Sequence, residues 1–170
     1  MKKYRLTDEK IIVGYRTLYR IQALQDFENV KMGELGGWIE SEKNLSHEGD
    51  AWVYGDAWVY GDARVCDNAR VCDNALVCDN ALVCGDALVY GDADIKTTGD
   101  ICSMSGFGSE YRTTTAFRTK NGDVHVTCGC FYGNLDDFYN RVEETHGDTL
   151  YGREYKKMIE MLKIHFEVEP

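Results

Sequence analysis

Four histidines, seven cysteines and a scatter of arginines are the groups in this 170-residue sequence that could do chemistry. The densest run is His125-Val-Thr-Cys128-Gly-Cys130, whose imidazole and thiols invite a zinc reading. Strand geometry argues against it. In a regular strand Cys128 and Cys130 share a face with Val126, while His125 points away. A structural zinc also wants a fourth ligand, and Cys102, His146 and His165 stand at no motif spacing. No metal ligand, no cofactor and no catalytic residue is therefore assigned.

A second constellation lies just upstream. Asn121-Gly122 joins two alternating runs, 111–118 and 123–128, which is a hairpin signal. Pairing Lys120 with Asp123 sets Phe117 opposite Val126, Thr115 opposite Cys128 and Arg118 opposite His125. In that register Arg112, Thr114, Arg118 and His125 share one face. Such a cationic, hydroxyl-bearing surface suits a phosphate or a nucleotide. A solvated strand face accounts for the same residues.

The frame that must position these groups is a repeat. From Ala51 to Ile95 the chain has a six-residue beat, with Ala51, Ala57, Ala63, Ala69, Ala75, Ala81, Ala87 and Ala93 each two residues before a Val or Ile. A fixed period dictates architecture before local propensity does. Side chains in a strand alternate faces, so each Ala and Val point inward and the residue between them points outward. Three turn-type residues follow, ending in Asp or Asn, and the third of these is expected to take a left-handed backbone. An α-helix has no six-residue beat.

The beat resembles the hexapeptide-repeat family of left-handed parallel β-helices, in which three hexamers make one triangular coil. The resemblance covers roughly residues 39–101 and implies the hand of the coil. It departs at the position after each Val, where Tyr54, Tyr60, Cys66, Cys72, Cys78, Cys84 and Tyr90 stand in place of the family's favoured Gly. The fold expected is mainly β: N-terminal strands and a cap over 1–45, a β-helix of about three coils over 46–101, and a small β-β-α-α unit over 102–170.

Residues eighteen apart should then stack. Trp52 should lie over Arg70 and Leu88, Trp58 over Leu76 and Asp94, Arg64 over Leu82, and Cys66 over Cys84. The first three ladders face outward, so Trp52, Trp58, Leu76, Leu82 and Leu88 form an apolar exterior that calls for a cover. A second copy is one such cover, since family members are often trimers. Cys66 over Cys84 comes near disulfide reach or a soft-metal pair, although small polarizable filler at a corner is the plainer reading.

Charge points the same way. The net charge is −10, and residues 46–95 hold ten acids against Arg64 and Arg70. That surface repels nucleic acid and anionic membrane and attracts basic partners, while turn chemistry alone also explains acids on this beat. Asp56, Asp62, Asp67 and Asp73, with Trp52, Trp58, Leu76 and Leu88, are the expected partner-binding residues. No apolar run reaches spanning length and the first residues carry no signal-peptide core. Seven cysteines is an odd count, and four of them lie on the repeat beat, which fits a reducing cytoplasm better than a disulfide framework.

Before the repeat, residues 3–7 and 17–24 read as strands, with Tyr19, Ile21 and Ala23 on one face. Gly33, Gly36 and Gly37 break the chain, and Trp38 is expected to plug the open tube end. Ile39 and Leu45 add a looser first turn. After it, 96–109 reads as a glycine-rich connection. Asn134 caps a helix with Leu135, Phe138, Tyr139 and Val142 on one stripe, and Gly147 stops it. A second helix follows, with Tyr155, Met158, Ile159 and Leu162 at the same spacing.

The whole chain, through the repeat and the Gly-Phe-Gly-Ser, Cys-Gly-Cys-Phe and Glu-Glu-Thr-His-Gly-Asp segments, resembles small phage and prophage proteins. This favours a non-catalytic binding protein that occupies a host protein with a basic surface, in counter-defence. An oligomeric sponge for a nucleotide signal is the alternative, and an acyltransferase the third. Acyltransferases of the hexapeptide family use a histidine between subunits, and this repeat holds none.

Overall fold

A computed structural model describes residues 2–168. Eight two-residue strands form the tube: β4 (Trp52–Val53), β5 (Trp58–Val59), β6 (Arg64–Val65), β7 (Arg70–Val71), β8 (Leu76–Val77), β9 (Leu82–Val83), β10 (Leu88–Val89) and β11 (Asp94–Ile95). They are short because three residues of every six are spent turning a corner. Each pairs in parallel with the strand eighteen residues on, so that Trp52, Arg70 and Leu88 stack, as do Trp58, Leu76 and Asp94, and Arg64 with Leu82. The alanines and valines of the beat are at most 1% exposed and form one continuous core. This is a three-turn parallel β-solenoid, as the six-residue beat predicts.

The corners differ in one detail. The left-handed residue is the second of the three turn positions, not the third: Asp67, Asp73 and Asp79 have φ of 60°, 58° and 54°, and Gly55, Gly61, Gly85 and Gly91 hold the same place. That position sits where the chain reverses hardest. Glycine meets no penalty there, and Asp, short and polar, meets less than most residues.

The N-terminal strands β1 (Tyr4–Val13), β2 (Arg16–Ala23) and β3 (Leu35–Ile39) extend one wall of the tube into a six-stranded sheet, β1-β2-β3-β5-β8-β11. Gly36 and Gly37 do not break the chain. They lie inside β3, where a Cβ would meet Val53 O at 2.6 Å and Ala57 O at 2.7 Å. Ile39 pairs with Val59 and Leu45 with Val65, so both belong to the first coil. Trp38 is not the plug. It pairs with Trp58 on the outer wall, because inward positions on this beat go to Ile39. The open end is closed instead by Lys3, Tyr4 and Asn44, all at most 1% exposed. Lys3 Nζ donates to Ala51 O at 2.8 Å and Gly49 O at 3.1 Å, Tyr4 OH to Leu45 O at 2.8 Å, and Asn44 Nδ2 to Ala63 O at 2.9 Å. Side chains thus satisfy the carbonyls that a missing coil would have paired.

The C-terminal sheet has four strands rather than two: β12 (Ile101–Met104), β13 (Thr114–Arg118), β14 (Val124–Cys128) and β15 (Phe131–Asn134), in that order and antiparallel. β12 lies within the stretch read as a connection. Helices α1 (Leu135–His146) and α2 (Leu150–His165) follow. Asn134 Oδ1 accepts from Asp137 N at 2.8 Å and Gly147 ends α1, as expected. Tyr155, Met158, Ile159 and Leu162 are buried, whereas Tyr139 is exposed on the far side of the α1 stripe.

β13 is buried on both faces and shows what the sheet does. Phe117 joins the tube core beside Ile95 and Ile101, while Ala116 joins the helical core with Val126 and Phe138. Thr127 Oγ1 donates to Leu88 O at 2.8 Å and Thr115 Oγ1 accepts from Leu88 N at 3.3 Å. Thr119 bridges to Ala93, and Lys120 N donates to Asp92 O at 2.9 Å. The C-terminal sheet is the second cap of the solenoid.

Candidate functional site

The hairpin register decides the fate of the anion-binding constellation. Gly122 N donates to Thr119 O at 2.9 Å and Gly122 has φ +84°. This makes a three-residue loop ending in a left-handed glycine, not a two-residue turn. Phe117 therefore pairs with His125, Ala116 with Val126 and Thr114 with Cys128. A slip of one residue exchanges faces. His125 lies on the tube side with Phe117, opposite Thr114 and Arg118. Thr114 is 1% exposed. Arg118 is committed to the fold, donating to Phe166 O at 2.6 Å and Gly122 O at 3.1 Å. Arg112 lies elsewhere, along a cleft beside α1. The four residues do not form one surface.

The partner-binding set is also redistributed. Trp52 does not face outward into solvent; it is fully buried, edge-on to Phe27 at 5.3 Å and to Tyr4 at 6.0 Å. The loop after β2 covers it, and Glu28 of that loop pairs with Arg70 at 2.8 Å in the next coil. Leu88 is half-buried beneath Thr115 and Thr127. Asp67 and Asp73 are exposed and also structural, since Asp67 Oδ2 accepts from Gly85 N at 2.9 Å and Asp73 Oδ2 from Gly91 N at 3.1 Å. Asp62 pairs with Lys43 at 2.9 Å. The thiols of Cys66 and Cys84 and the Asp67 carboxylate lie within 4.8 Å of one another. Burial, then the Asp67 charge, pushes the Cys66 thiol up.

What remains outward is a groove on the wall built from β3, β5 and β8. Trp38, Trp58 and Leu76 stack along its floor in consecutive coils. A corner ladder of Asp56, Asn74 and Asp92 runs along it, with Ile11 of the N-terminal hairpin and Lys120 of the C-terminal one completing a cavity of about 400 Å³. Asp56 and Asp92 keep 78% and 69% of their side chains exposed. Their own cations are loosely held: Arg20 reaches Asp56 at 3.6 Å and Lys120 reaches Asp92 at 3.8 Å. Arg20 also lies 5.0 Å above the Trp38 ring. Apolar rings beside carboxylates suit a cation carried on an apolar stem. Sequence reasoning missed Trp38 here, although its place two residues before Glu40 and next to Ile39 is the outward position of the beat.

No helix among the described residues is long and apolar enough to cross a membrane. Residues 63–79 match a family model described as a YdcK beta solenoid repeat. Over 62 residues the chain is 39% identical to the "uncharacterized acetyltransferase YdcK" of Escherichia coli (strain K12), a match covering 32% of this chain and 19% of that protein. The chain therefore spans about a fifth of the length of the curated relative it matches. The family match falls on the stacked strands β6, β7 and β8, and the ladders and both matches support a β-helix of the hexapeptide-repeat kind.

Proposed function

We propose that this chain is a non-catalytic binding protein whose groove at Trp38, Trp58 and Leu76 takes a basic segment of another protein. The observation that carries the reading is the groove itself: Trp38 and Trp58 paired in consecutive coils beside exposed Asp56 and Asp92. A lysine or arginine laid along it gains ring contact for its stem and a carboxylate for its head. The net charge of −10 adds long-range attraction for such a partner. Occupation of a basic site on a host protein, in counter-defence and in a reducing cytoplasm, is the setting; the whole-chain resemblance and seven unpaired thiols support it.

Calorimetric titration with an arginine-rich peptide at rising salt tests this reading. Affinity should fall steeply with ionic strength, and Asp56→Asn with Asp92→Asn should weaken it by about tenfold. Binding indifferent to both would reject the groove. Acyl transfer is the second reading, favoured by the similarity to a protein named as an acetyltransferase. Thiol release from acetyl-CoA by the purified protein, above the rate of spontaneous hydrolysis, would move the assignment there.

A further inference from the structure

The C-terminal unit holds a cleft that neither the tube nor its capping role uses. It opens between the β14–β15 turn and α1, with a cavity of about 510 Å³, within the range of about 300–1,000 Å³ typical of small-molecule sites. One wall is a run of rings. Phe131 and Phe138 lie 5.0 Å apart, Phe138 and Tyr155 5.7 Å, and His146 stacks on Tyr155 at 5.6 Å with 25° between planes. Burial pushes the Tyr155 hydroxyl up to about 12, so it remains a donor at neutral pH.

Two guanidiniums stand at the mouth. Arg112 lies across the β14–β15 turn, so close over Gly129 that a side chain there would collide with it. Gly129 takes φ +59°, which holds that turn tight beneath the arginine. Arg141 projects from α1. Among the described residues each has only a distant carboxylate: Glu110 at 3.8 Å from Arg112 and Glu144 at 4.0 Å from Arg141. Charge-assisted hydrogen bonds close to about 2.7–2.9 Å, so both forks keep donors free for a ligand.

We infer that this cleft binds a nucleoside monophosphate, with the base against the Phe131–His146 ring wall and the phosphate between Arg112 and Arg141. A flat ring joined to a dianion is the chemistry that an aromatic wall beside two arginines recognises. The inference is independent of the tube groove, which lies on another element and selects the opposite charge.

Calorimetry with AMP and GMP tests it, with adenosine and inorganic phosphate as separate titrants. One nucleotide per chain should bind, and each half-ligand should bind at least about tenfold more weakly. Arg112→Gln with Arg141→Gln should reduce nucleotide affinity by more than about tenfold while leaving the melting temperature of the free protein unchanged, because both side chains are surface-exposed. No binding by either nucleotide at millimolar concentration overturns the inference. So does nucleotide binding that the double variant retains, or phosphate alone binding as tightly as AMP.

Discussion

Two consecutive hexamers of this chain read identically, Ala-Trp-Val-Tyr-Gly-Asp at 51–56 and again at 57–62, yet their tryptophans end in opposite surroundings. Trp52 is fully buried under Tyr4 and Phe27, while Trp58 sits half-exposed in the groove between Trp38 and Leu76. The hexamer fixes which way each ring points relative to the tube. What lies over it is fixed by distant chain, Tyr4 and Phe27 in the case of Trp52. The first hexamer stands at the open end, so the N-terminal segment folds onto it. The second stands one corner further on, where β3 pairs alongside and leaves the wall uncovered.

The largest effect should follow from Trp52→Ala. Removing a fully buried ring costs about 3–5 kcal/mol, measured by denaturant unfolding. Trp52→Phe should cost much less, because the indole Nε1 has no partner in its buried site. Trp58→Ala in the twin hexamer should cost less than about 1.5 kcal/mol and instead abolish binding of a basic peptide. Equal stability losses at the two positions would break the comparison.

Next comes the pairing of the first hexamer's backbone. Ala51 O accepts from Lys3 Nζ, whereas Ala57 O accepts from Trp38 N at 2.9 Å in an ordinary ladder. Burial of Lys3 lowers its pKa to about 8, with Asp50 opposing the shift. Between that value and the usual lysine range the unfolded chain holds a proton that the folded chain has released. Folding stability should therefore rise with pH across this window, by about 1 kcal/mol per pH unit. Lys3→Met should flatten that rise relative to the parent protein in unfolding curves taken from pH 7.5 to 10, a range chosen to cover about two units of the shift. A parallel pH dependence in both proteins would contradict the burial.

Smaller effects separate turn chemistry from charge. Asp73→Val places a branched side chain at φ +58° and removes the acceptor for Gly91 N, which should cost about 1–2 kcal/mol. Asp73→Gly removes the same charge and the same acceptor but fits the left-handed backbone, so it should cost about 1 kcal/mol less than Asp73→Val. Leu82, 42% exposed on the wall that neither cap covers, should accept lysine within about 0.5 kcal/mol; a larger loss at high protein concentration would reveal a second copy on that wall.

The tube was legible except at its corners, where the left-handed residue sits one place earlier than expected: the inward alanines and valines, the eighteen-residue ladders and the first-turn roles of Ile39 and Leu45 all follow from counting. The caps were not. Counting places Trp52 outward, but nothing local says that Tyr4 and Phe27 will fold over it. Asn121-Gly122 marked a turn correctly, yet two loop lengths fit those letters. The observed register puts Thr127 on the tube side, where it reaches Leu88 O, and Val126 in the helical core; the other register would exchange them. The groove was half visible: Trp58, Leu76 and Asp56 lie on the beat, whereas Trp38 precedes it by a coil with a two-residue insertion, and Lys120 arrives from the far cap. The cleft beside α1 draws Arg112 from the loop before β13, Arg141 and His146 from α1, and Tyr155 from α2, whose packing no spacing announces.

The central contrast, one ring buried and its twin proposed to bind, can be read with single-tryptophan proteins. One keeps Trp58 alone through Trp38→Phe and Trp52→Phe; the other keeps Trp52 alone through Trp38→Phe and Trp58→Phe. Their fluorescence is followed while an arginine-rich peptide is added at low salt. The Trp58 protein should change intensity saturably and lose the change at high salt, with the Trp52 protein silent throughout. A response from Trp52, or none from Trp58 while calorimetry still registers binding, would contradict the account.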